Sequence, residues 1–153
     1  MTDYRIEKLR SSVTLVLVDG RHLSGDIFVR PVSQFRLGPQ GPVDALNEED
    51  PYFAFAPSGE APIVIAKDHV LRAETGLPES DDLADVPRLG VTVEVTLMTG
   101  EVFAGSVFPA TPPERARLID YLNTYPYRFL VVFDAQKVTL VNRRAVVHAR
   151  EVS

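Results

Sequence analysis

Residues 93–108, VEVTLMTGEVFAGSVF, decide the fold, because the chain carries this stretch twice. Residues 13–28, VTLVLVDGRHLSGDIF, show the same pattern 80 positions earlier. The two stretches align without a gap and share these identities: Val13/Val93, Leu17/Leu97, Gly20/Gly100, Gly25/Gly105 and Phe28/Phe108. An internal repeat of this kind predicts two similar small domains within one chain.

Each copy has the pattern of a β-hairpin. Apolar and polar residues alternate over residues 93–97, the period of two that is typical of a half-buried strand. Gly20 and Gly100 lie where a tight turn needs a positive φ, which glycine adopts without a Cβ clash. Gly25 and Gly105 fall mid-strand, where glycine marks a bulge, a sharp bend or a close backbone approach. A hairpin whose second strand bends favours a small, strongly curved barrel over a flat meander.

The remainder of each copy predicts three more strands. After the hairpins the copies realign at an offset of 76, with Phe53 matched to Phe129. The predicted strands are Tyr52–Ala56, Pro62–Lys67 and His69–Glu74, then Arg128–Asp134, Lys137–Asn142 and Ala145–Arg150. The predicted fold class is therefore all-β with one short helix, arranged as two tandem five-stranded small barrels. The predicted domains are residues 1–75 and 88–153, joined by an acidic linker at residues 76–87.

The connection between the second and third strands differs between the copies. In the first copy, residues 29–43 are rich in proline and glycine and predict a loop. In the second copy, Thr111 is followed by Pro112 and Pro113 and then by Glu114, the order of an N-cap, a first-turn proline and a capping-box acid. We therefore expect a helix over about 112–122.

Composition and charge narrow the function classes. The chain has 153 residues, a net charge of −5 and no cysteine, which excludes disulfides, a thiol nucleophile and a thiolate metal site. Residues 74–87 carry a net charge of −5, whereas residues 88–153 carry +2. The three histidines share no ligand-type spacing, and no apolar run approaches the ~20 residues that span a bilayer. We expect a cytoplasmic protein without a metal or other cofactor.

The pattern resembles the Sm-like family of small five-stranded barrels. Leu17-x-x-Gly20-Arg21-x-Leu23-x-Gly25, and its counterpart from Leu97 to Gly105, are similar to the first half of that family's first motif. The Asp and Asn that follow in the motif are similar to Asp44/Asn47 and Asp120/Asn123. Residues 141–146, VNRRAV, are similar to the second motif, which has a basic residue before the last strand. The resemblance implies a barrel fold in each half and, in the second half, contacts to single-stranded RNA.

The Asp-x-Leu-Asn tetrapeptide occurs in both copies and has two interpretations. In the structural interpretation it forms a short helical turn, in which leucine packs on the barrel and Asp caps a neighbouring amide. Asn then takes the terminal position that tolerates the left-handed conformation. In the functional interpretation, which follows from the resemblance, Asn47 and Asn123 line a polar pocket that contacts a base. Local turn chemistry is sufficient to account for both residues, so the structural interpretation is favoured.

Aromatic and basic residues concentrate in the second half. Stacking on aromatic rings combined with guanidinium contacts holds single strands without reading their sequence. The alternative is that tyrosines rim a barrel while arginines keep its strand ends soluble. The candidate contacts to nucleic acid or a partner are Tyr121, Asn123, Tyr127, Arg143 and Arg144, with Asn47 and Lys67 in the first half. A net charge of only +2 favours the alternative, because phosphate neutralisation supplies most nonspecific affinity.

No nucleophile elbow, phosphate-binding glycine loop or His-x-x-x-His pair occurs in the sequence. The chain is therefore not expected to be an enzyme. The predicted function is a binding or assembly module that pairs with a protein partner or with itself, because small barrels expose strand edges. The competing prediction is Sm-like binding of single-stranded RNA through the second copy. No membrane association is expected.

Overall fold

The computed structural model describes residues 9–30, 41–76, 90–108 and 117–152. These residues form mainly β-strands, with short helical segments between them, as the sequence predicts. The chain divides into two units, Met1–Thr75 and Gly76–Ser153. Most of the predicted acidic linker lies outside the described residues.

Unit 1 is a five-stranded antiparallel sheet. Its elements are β1 (Leu9–Leu17), β2 (His22–Val29), α1 (Pro42–Asn47), β3 (Tyr52–Pro57), β4 (Ile63–Ala66) and β5 (Val70–Gly76). A 3₁₀ turn at Lys67–His69 joins β4 to β5. Within the unit the strand order is β5-β1-β2-β3-β4.

Unit 2 repeats this arrangement. Its elements are β6 (Val91–Leu97), β7 (Val102–Val107), α2 (Leu118–Thr124), β8 (Phe129–Phe133), β9 (Lys137–Asn142) and β10 (Val146–Glu151). A 3₁₀ turn at Arg143–Ala145 precedes β10. The strand order within the unit is β10-β6-β7-β8-β9, which is the order of unit 1 with each strand replaced by its counterpart.

The helices differ in part from the prediction. The described helix of unit 2 is Leu118–Thr124, which extends past the expected end at residue 122. Residues 112–116, where its start was expected, lie outside the described residues. Unit 1 has a helix of its own, Pro42–Asn47, where the sequence predicts only a loop and a helical turn. Pro42 at its first position favours this helix, because the missing N–H would have no partner there.

Each unit buries the apolar face of its hairpin. Of the residues that the hairpin pattern places inside, those that are buried are Val13, Leu15, Leu17 and Ile27 in unit 1 and Val93, Val95, Leu97 and Val107 in unit 2. Leu23 and Phe103 are only half-buried, as is Phe53 in β3. α1 adds Leu46, which is completely buried, to the core of unit 1.

The hairpin turns have the expected backbone. Gly20 and Gly100 have φ values of 93° and 88°, a region that a side chain would strain. Gly59, in the β3–β4 turn, also has a positive φ of 77°. A side chain at Gly59 should therefore be strained in the same way as one at the two hairpin glycines.

The mid-strand glycines mark close approaches between strands. A Cβ on Gly25 would overlap the main-chain carbonyl of Ala56 on β3. A Cβ on Gly105 would lie 2.7 Å from the carbonyl oxygen of Phe133 on β8 and would also meet Val132. Of the three roles that sequence allows for these glycines, the structure shows the close backbone approach. In both units the second strand of the hairpin can reach its neighbour only because it lacks a side chain there.

The structural repeat corrects the sequence alignment by one residue in the third strand. Tyr52 lies opposite Ala66 in unit 1, and Phe129 lies opposite Asn142 in unit 2. Tyr52, not Phe53, is therefore the counterpart of Phe129. The β8–β9 turn is one residue shorter than the β3–β4 turn, and this deletion shifts the offset from 77 before the turn to 76 after it.

Candidate functional site

The two predicted aromatic contacts of unit 2, Tyr121 and Tyr127, both pack against Tyr125. The ring centroids of Tyr121 and Tyr125 are 5.5 Å apart, and those of Tyr125 and Tyr127 are 5.6 Å apart. The hydroxyl of Tyr125 donates a 2.6 Å hydrogen bond to the carbonyl of Phe129. Burial raises the pKa of the Tyr121 hydroxyl above its usual range. The tyrosines thus form a packed cluster between α2 and β8, and edge-to-face contact uses part of the surface that a base would stack on.

Arg143 is joined to this cluster. Its guanidinium donates to the main-chain carbonyl of Tyr125, and its backbone N–H donates to the carbonyl of Arg128 at 2.9 Å. The structure therefore brings Arg143 together with Tyr125 through the backbone. The side chain of Asn123 is exposed near the end of α2. Arg144 is also exposed, and its N–H is accepted by the side chain of Asn142 at 3.0 Å.

Lys67 occupies the position in unit 1 that Arg143 occupies in unit 2. Its ammonium donates a 2.9 Å hydrogen bond to the carbonyl of Glu48, and its backbone N–H donates to the carbonyl of Pro51 at 2.8 Å. Lys67 is only 1% exposed, so its prediction as a surface contact is wrong. A buried lysine needs acceptors inside the protein, because an unpaired buried charge is costly.

The basic residue before the last strand therefore has a structural task that is repeated. In each unit its side chain and main chain both bond to carbonyls of the segment between the helix and the third strand. The sequence places Arg143 directly before the last strand of unit 2, but only the structure shows which main-chain group its side chain bonds to. This role does not depend on a ligand.

The Asp-x-Leu-Asn segments follow the structural interpretation in part. In unit 1 the carboxylate of Asp44 accepts the N–H of Gly41 at 3.0 Å, as a cap should. Neither asparagine has the left-handed conformation that the sequence suggested, because no non-glycine residue in the described segments has a positive φ. Asn47 is the last residue of α1 and is half-buried, while its counterpart Asn123 is exposed. The two asparagines therefore differ in exposure, although the tetrapeptide is repeated.

The β4 edge, defined here as β4 with the adjoining residue Tyr52 of β3, exposes apolar side chains on unit 1. Val64 is 71% exposed and Tyr52 is 60% exposed. Their cross-strand partners, Ala54 and Ala66, place both on the face opposite to that of the buried Phe55. Within unit 1, β4 pairs on one side only, with β3. The β4 edge thus combines a row of main-chain groups with apolar side chains.

The β10 edge, defined here as β10 with the adjoining β6–β7 turn, exposes apolar side chains of unit 2 beside His148, Arg150 and Glu151, which are also exposed. Val147 is 63% exposed and lies at a register shift between Val146 and His148. Met98 and Val102, on either side of the β6–β7 turn, are also largely exposed. Within unit 2, β10 pairs only with β6.

The counterparts of these exposed residues are buried. Val64 corresponds to Leu140 and Tyr52 corresponds to Phe129, and both of these residues in unit 2 are fully buried. Val147 corresponds to Leu71, which is 2% exposed in unit 1. Sequence reasoning missed the β4 edge, although residues 63–65, Ile-Val-Ile, carried a signal. An uninterrupted apolar run indicates a strand that is apolar on both faces.

Other kinds of site find no support in the described segments. No group of three or more acidic or histidine side chains in residues 9–30, 41–76, 90–108 and 117–152 could hold a metal ion. No helix in that part of the chain is long and apolar enough to cross a membrane. Comparison with known proteins gave no matching family model, no matching curated protein and no matching solved structure.

Proposed function

We propose that this chain is a non-enzymatic binding and assembly module, made of two tandem Sm-like small barrels, that acts through protein–protein contacts or self-association. It uses no cofactor and works in the cytoplasm. The observation that carries the proposal is the β4 edge. There two apolar side chains are exposed at an edge strand: Val64 on β4 and Tyr52 on the adjacent β3.

The physical argument begins with what an edge strand offers. Unpaired N–H and C=O groups along an edge can accept a further strand, and proteins usually guard such edges with charged residues or proline. Pro62 precedes β4, but the four residues of β4 carry no charge. The nearest cation in sequence, Lys67, donates inward to Glu48 instead of guarding the edge. The β4 edge is therefore suited to strand addition by a protein partner.

The competing function is single-stranded RNA binding through unit 2. It would use the ring faces of the tyrosine cluster and the guanidinium of Arg143. Those rings pack on one another, and Arg143 donates to the carbonyl of Tyr125. Both features have a structural reason, so the protein-binding function is preferred.

The test compares the wild-type chain with Val64→Glu. The matched control is His22→Glu, which introduces the same charge at an exposed position on β2. Each chain is purified from its native cells, with and without nuclease treatment, and copurifying molecules are identified by mass spectrometry. We also measure the molar mass of each purified chain by light scattering.

We expect protein association that survives nuclease, is lost in Val64→Glu and is kept in His22→Glu. Association that nuclease abolishes, and that Arg143→Ala weakens while Val64→Glu does not, would support the RNA function instead. A monomeric chain that retains no protein in either treatment would refute the proposal.

A further inference from the structure

We propose that the β4 edge of one chain pairs with the β4 edge of a second copy, antiparallel and about a two-fold axis. This inference rests on the proposed function and names the partner of that edge. The contact is isologous, because both copies contribute the same strand, and it closes into a dimer. Every residue that carries the argument belongs to unit 1.

One hydrogen bond shows which main-chain groups of β4 point away from β3. The N–H of Lys67, which follows β4, donates to the carbonyl of Pro51, which precedes β3, at 2.8 Å. Along an antiparallel pair, residues that exchange hydrogen bonds with the partner strand alternate with residues whose main-chain groups point the other way. Ile65, two positions before Lys67, therefore faces β3. The N–H and C=O groups of Val64 and Ala66 face away from it.

The other side of β3 gives the same assignment. The N–H of Ser58 donates to the carbonyl of Ser24 on the β2 side at 3.0 Å. By the same alternation, the main-chain groups of Phe53 point towards β4, where Phe53 lies opposite Ile65. Two independent hydrogen bonds thus agree on the outward groups of β4.

Only one antiparallel register uses all of these outward groups. With Ile65 on the two-fold axis, Val64 of each copy lies opposite Ala66 of the other, and each such pair exchanges both of its N–H···O bonds. Centring the axis on Val64 would bring Ala66 opposite Pro62, which has no N–H to donate. Centring it on Ala66 would bring Val64 opposite Asp68, which lies in the 3₁₀ turn and not in the strand. β4 is therefore self-complementary in a single register.

The side chains on the outer face also fit this register. Tyr52 of β3 lies opposite Ala66 of β4, and Ala54 lies opposite Val64. The row that crosses the axis thus alternates in size: Tyr52, Ala66, the second copy's Val64 and the second copy's Ala54. Because Ala66 is small, the ring of Tyr52 can lie over it and cover Val64 of the second copy. The pairing buries the two side chains that are 60% and 71% exposed in the single chain.

No charge within β4 opposes the pairing. Its four residues, Ile63–Ala66, are all apolar, so two copies meet without like charges face to face. The next residue, Lys67, directs its ammonium to the carbonyl of Glu48 in its own unit. Edge strands are usually protected from such pairing by an outward lysine or by a proline within the strand. β4 has neither, and a second β4 matches both its hydrogen-bonding groups and its side chains.

The first test removes the outward N–H of Ala66 without disturbing its own unit. Ala66 has a φ of −76°, which proline also adopts, and its N–H points away from β3. Ala66→Pro should therefore leave unit 1 folded and remove one donor from each copy in the dimer. Ala66→Ser is the matched control, because it changes the same side chain and keeps the N–H. Molar mass is measured by light scattering over a range of concentrations, and folding is measured by circular dichroism.

We expect the wild-type chain to reach the mass of a dimer. Ala66→Pro should raise the dissociation constant by roughly tenfold to a hundredfold, because each copy loses one hydrogen bond across the axis. Ala66→Ser should change the dissociation constant by less than about threefold, since the hydrogen bonds remain. At concentrations where every chain is monomeric, both variants should melt close to the temperature of the wild-type chain.

The second test reports the register and uses the absence of cysteine from the sequence. Val64→Cys and Ala66→Cys are made as separate chains, one of them with a tag that changes its size, and are mixed and oxidised with copper phenanthroline. Disulfides between the two chains should form at least severalfold faster than in either chain alone, because Val64 lies directly opposite Ala66 and only diagonally from itself. His22→Cys, at an exposed position on β2, is the control and should give only background links.

The outcomes separate the inference from the proposed function. A monomeric chain that captures another protein in a Val64-dependent manner would refute the dimer and leave the proposed function standing. An oligomer that a folded Ala66→Pro chain still forms, or in which Val64→Cys links to itself as fast as to Ala66→Cys, would refute the β4–β4 contact, and association through another surface would remain. If Ala66→Pro does not fold, the disulfide rates decide. If the chain neither oligomerises nor captures protein, both are refuted.

Discussion

Substituting Gly25 by alanine should disrupt unit 1 at the contact between β2 and β3. A Cβ at this position would overlap the carbonyl oxygen of Ala56 and would also meet the carbonyl carbon of Ala56 and the Cα of Pro57, 2.9 Å away. All three are main-chain atoms, so no side-chain rotation can make room. The strands must separate where Gly25 pairs with Pro57, which is at the end of the β2–β3 ladder.

The loss of unfolding free energy in Gly25→Ala depends on which atoms the new Cβ would meet. Adding a methyl group to a well-packed site costs typically about 1–3 kcal/mol. Because the neighbour is backbone and ladder hydrogen bonds are at risk, we expect Gly25→Ala to fall near the upper end, about 3 kcal/mol. Gly105→Ala should cost less, because only one main-chain atom lies closer than 3.0 Å to its Cβ, the carbonyl oxygen of Phe133 at 2.7 Å, and its other close neighbour, the side chain of Val132, can adjust.

Gly76→Ala is the matched control, because a Cβ there meets nothing within 4 Å and Gly76 has no positive φ. Without strain, the same change should be neutral or stabilise by about 0.4–1 kcal/mol, since it reduces the freedom of the unfolded chain. Free energies of unfolding are measured by urea titration, followed by circular dichroism. A Gly25→Ala loss below about 0.5 kcal/mol, or one equal to that of Gly76→Ala, would refute the close approach.

Three further changes test the interior and the repeated basic residue, each by urea or pH titration followed by circular dichroism. Leu97→Ala should lose about 2–5 kcal/mol of unfolding free energy, since Leu97 is 1% exposed in unit 2; a loss under about 1 kcal/mol would contradict its core position. Lys67→Met should cost about 1–3 kcal/mol, because the Glu48 carbonyl loses its donor, whereas Arg144→Met should cost under about 1 kcal/mol; equal effects would contradict the inward role of Lys67. Because the pKa of Tyr121 is raised in the folded chain, the folded state holds the phenolic proton longer than the unfolded one. This contribution to stability is complete below the ordinary pKa of 10.0 and falls as pH rises above it. Tyr121→Phe should therefore reduce the loss of stability between pH 10 and the folded pKa, and an unchanged alkaline profile would contradict the burial of the hydroxyl.

The hairpins could be predicted because their signals are local. An alternating strand, a turn glycine and a mid-strand glycine each have a reason that involves few residues, and the duplication gives each signal twice. The predicted third, fourth and fifth strands agree with the observed ones to within one or two residues in each unit. Repetition thus supplied from a single chain the kind of support that comparison of sequences usually provides.

Other features depend on contacts that sequence does not display. Lys67 looks like any surface lysine, and only the position of the Glu48 carbonyl shows that it is held inside. The one-residue deletion in the β8–β9 turn produces a good sequence match, Phe53 with Phe129, that is displaced from the structural one. The exposure of Asn123 likewise depends on how α2 packs, because its counterpart Asn47 belongs to the same Asp-x-Leu-Asn pattern and is half-buried.

The duplication explains why the edges, not the interiors, are where the function of this chain should be sought. Copying a unit copies its core, its turn glycines and the basic residue that bonds to main-chain carbonyls, and all of these have the same task in both units. The edges are the elements that the two units treat differently: β4 and β10 expose apolar side chains at positions where the sister unit buries them. An interior residue changed in either unit should therefore act on folding, whereas Val64 is exposed and should act on association. Stability measurements on the first kind of variant and association measurements on the second can thus be interpreted independently.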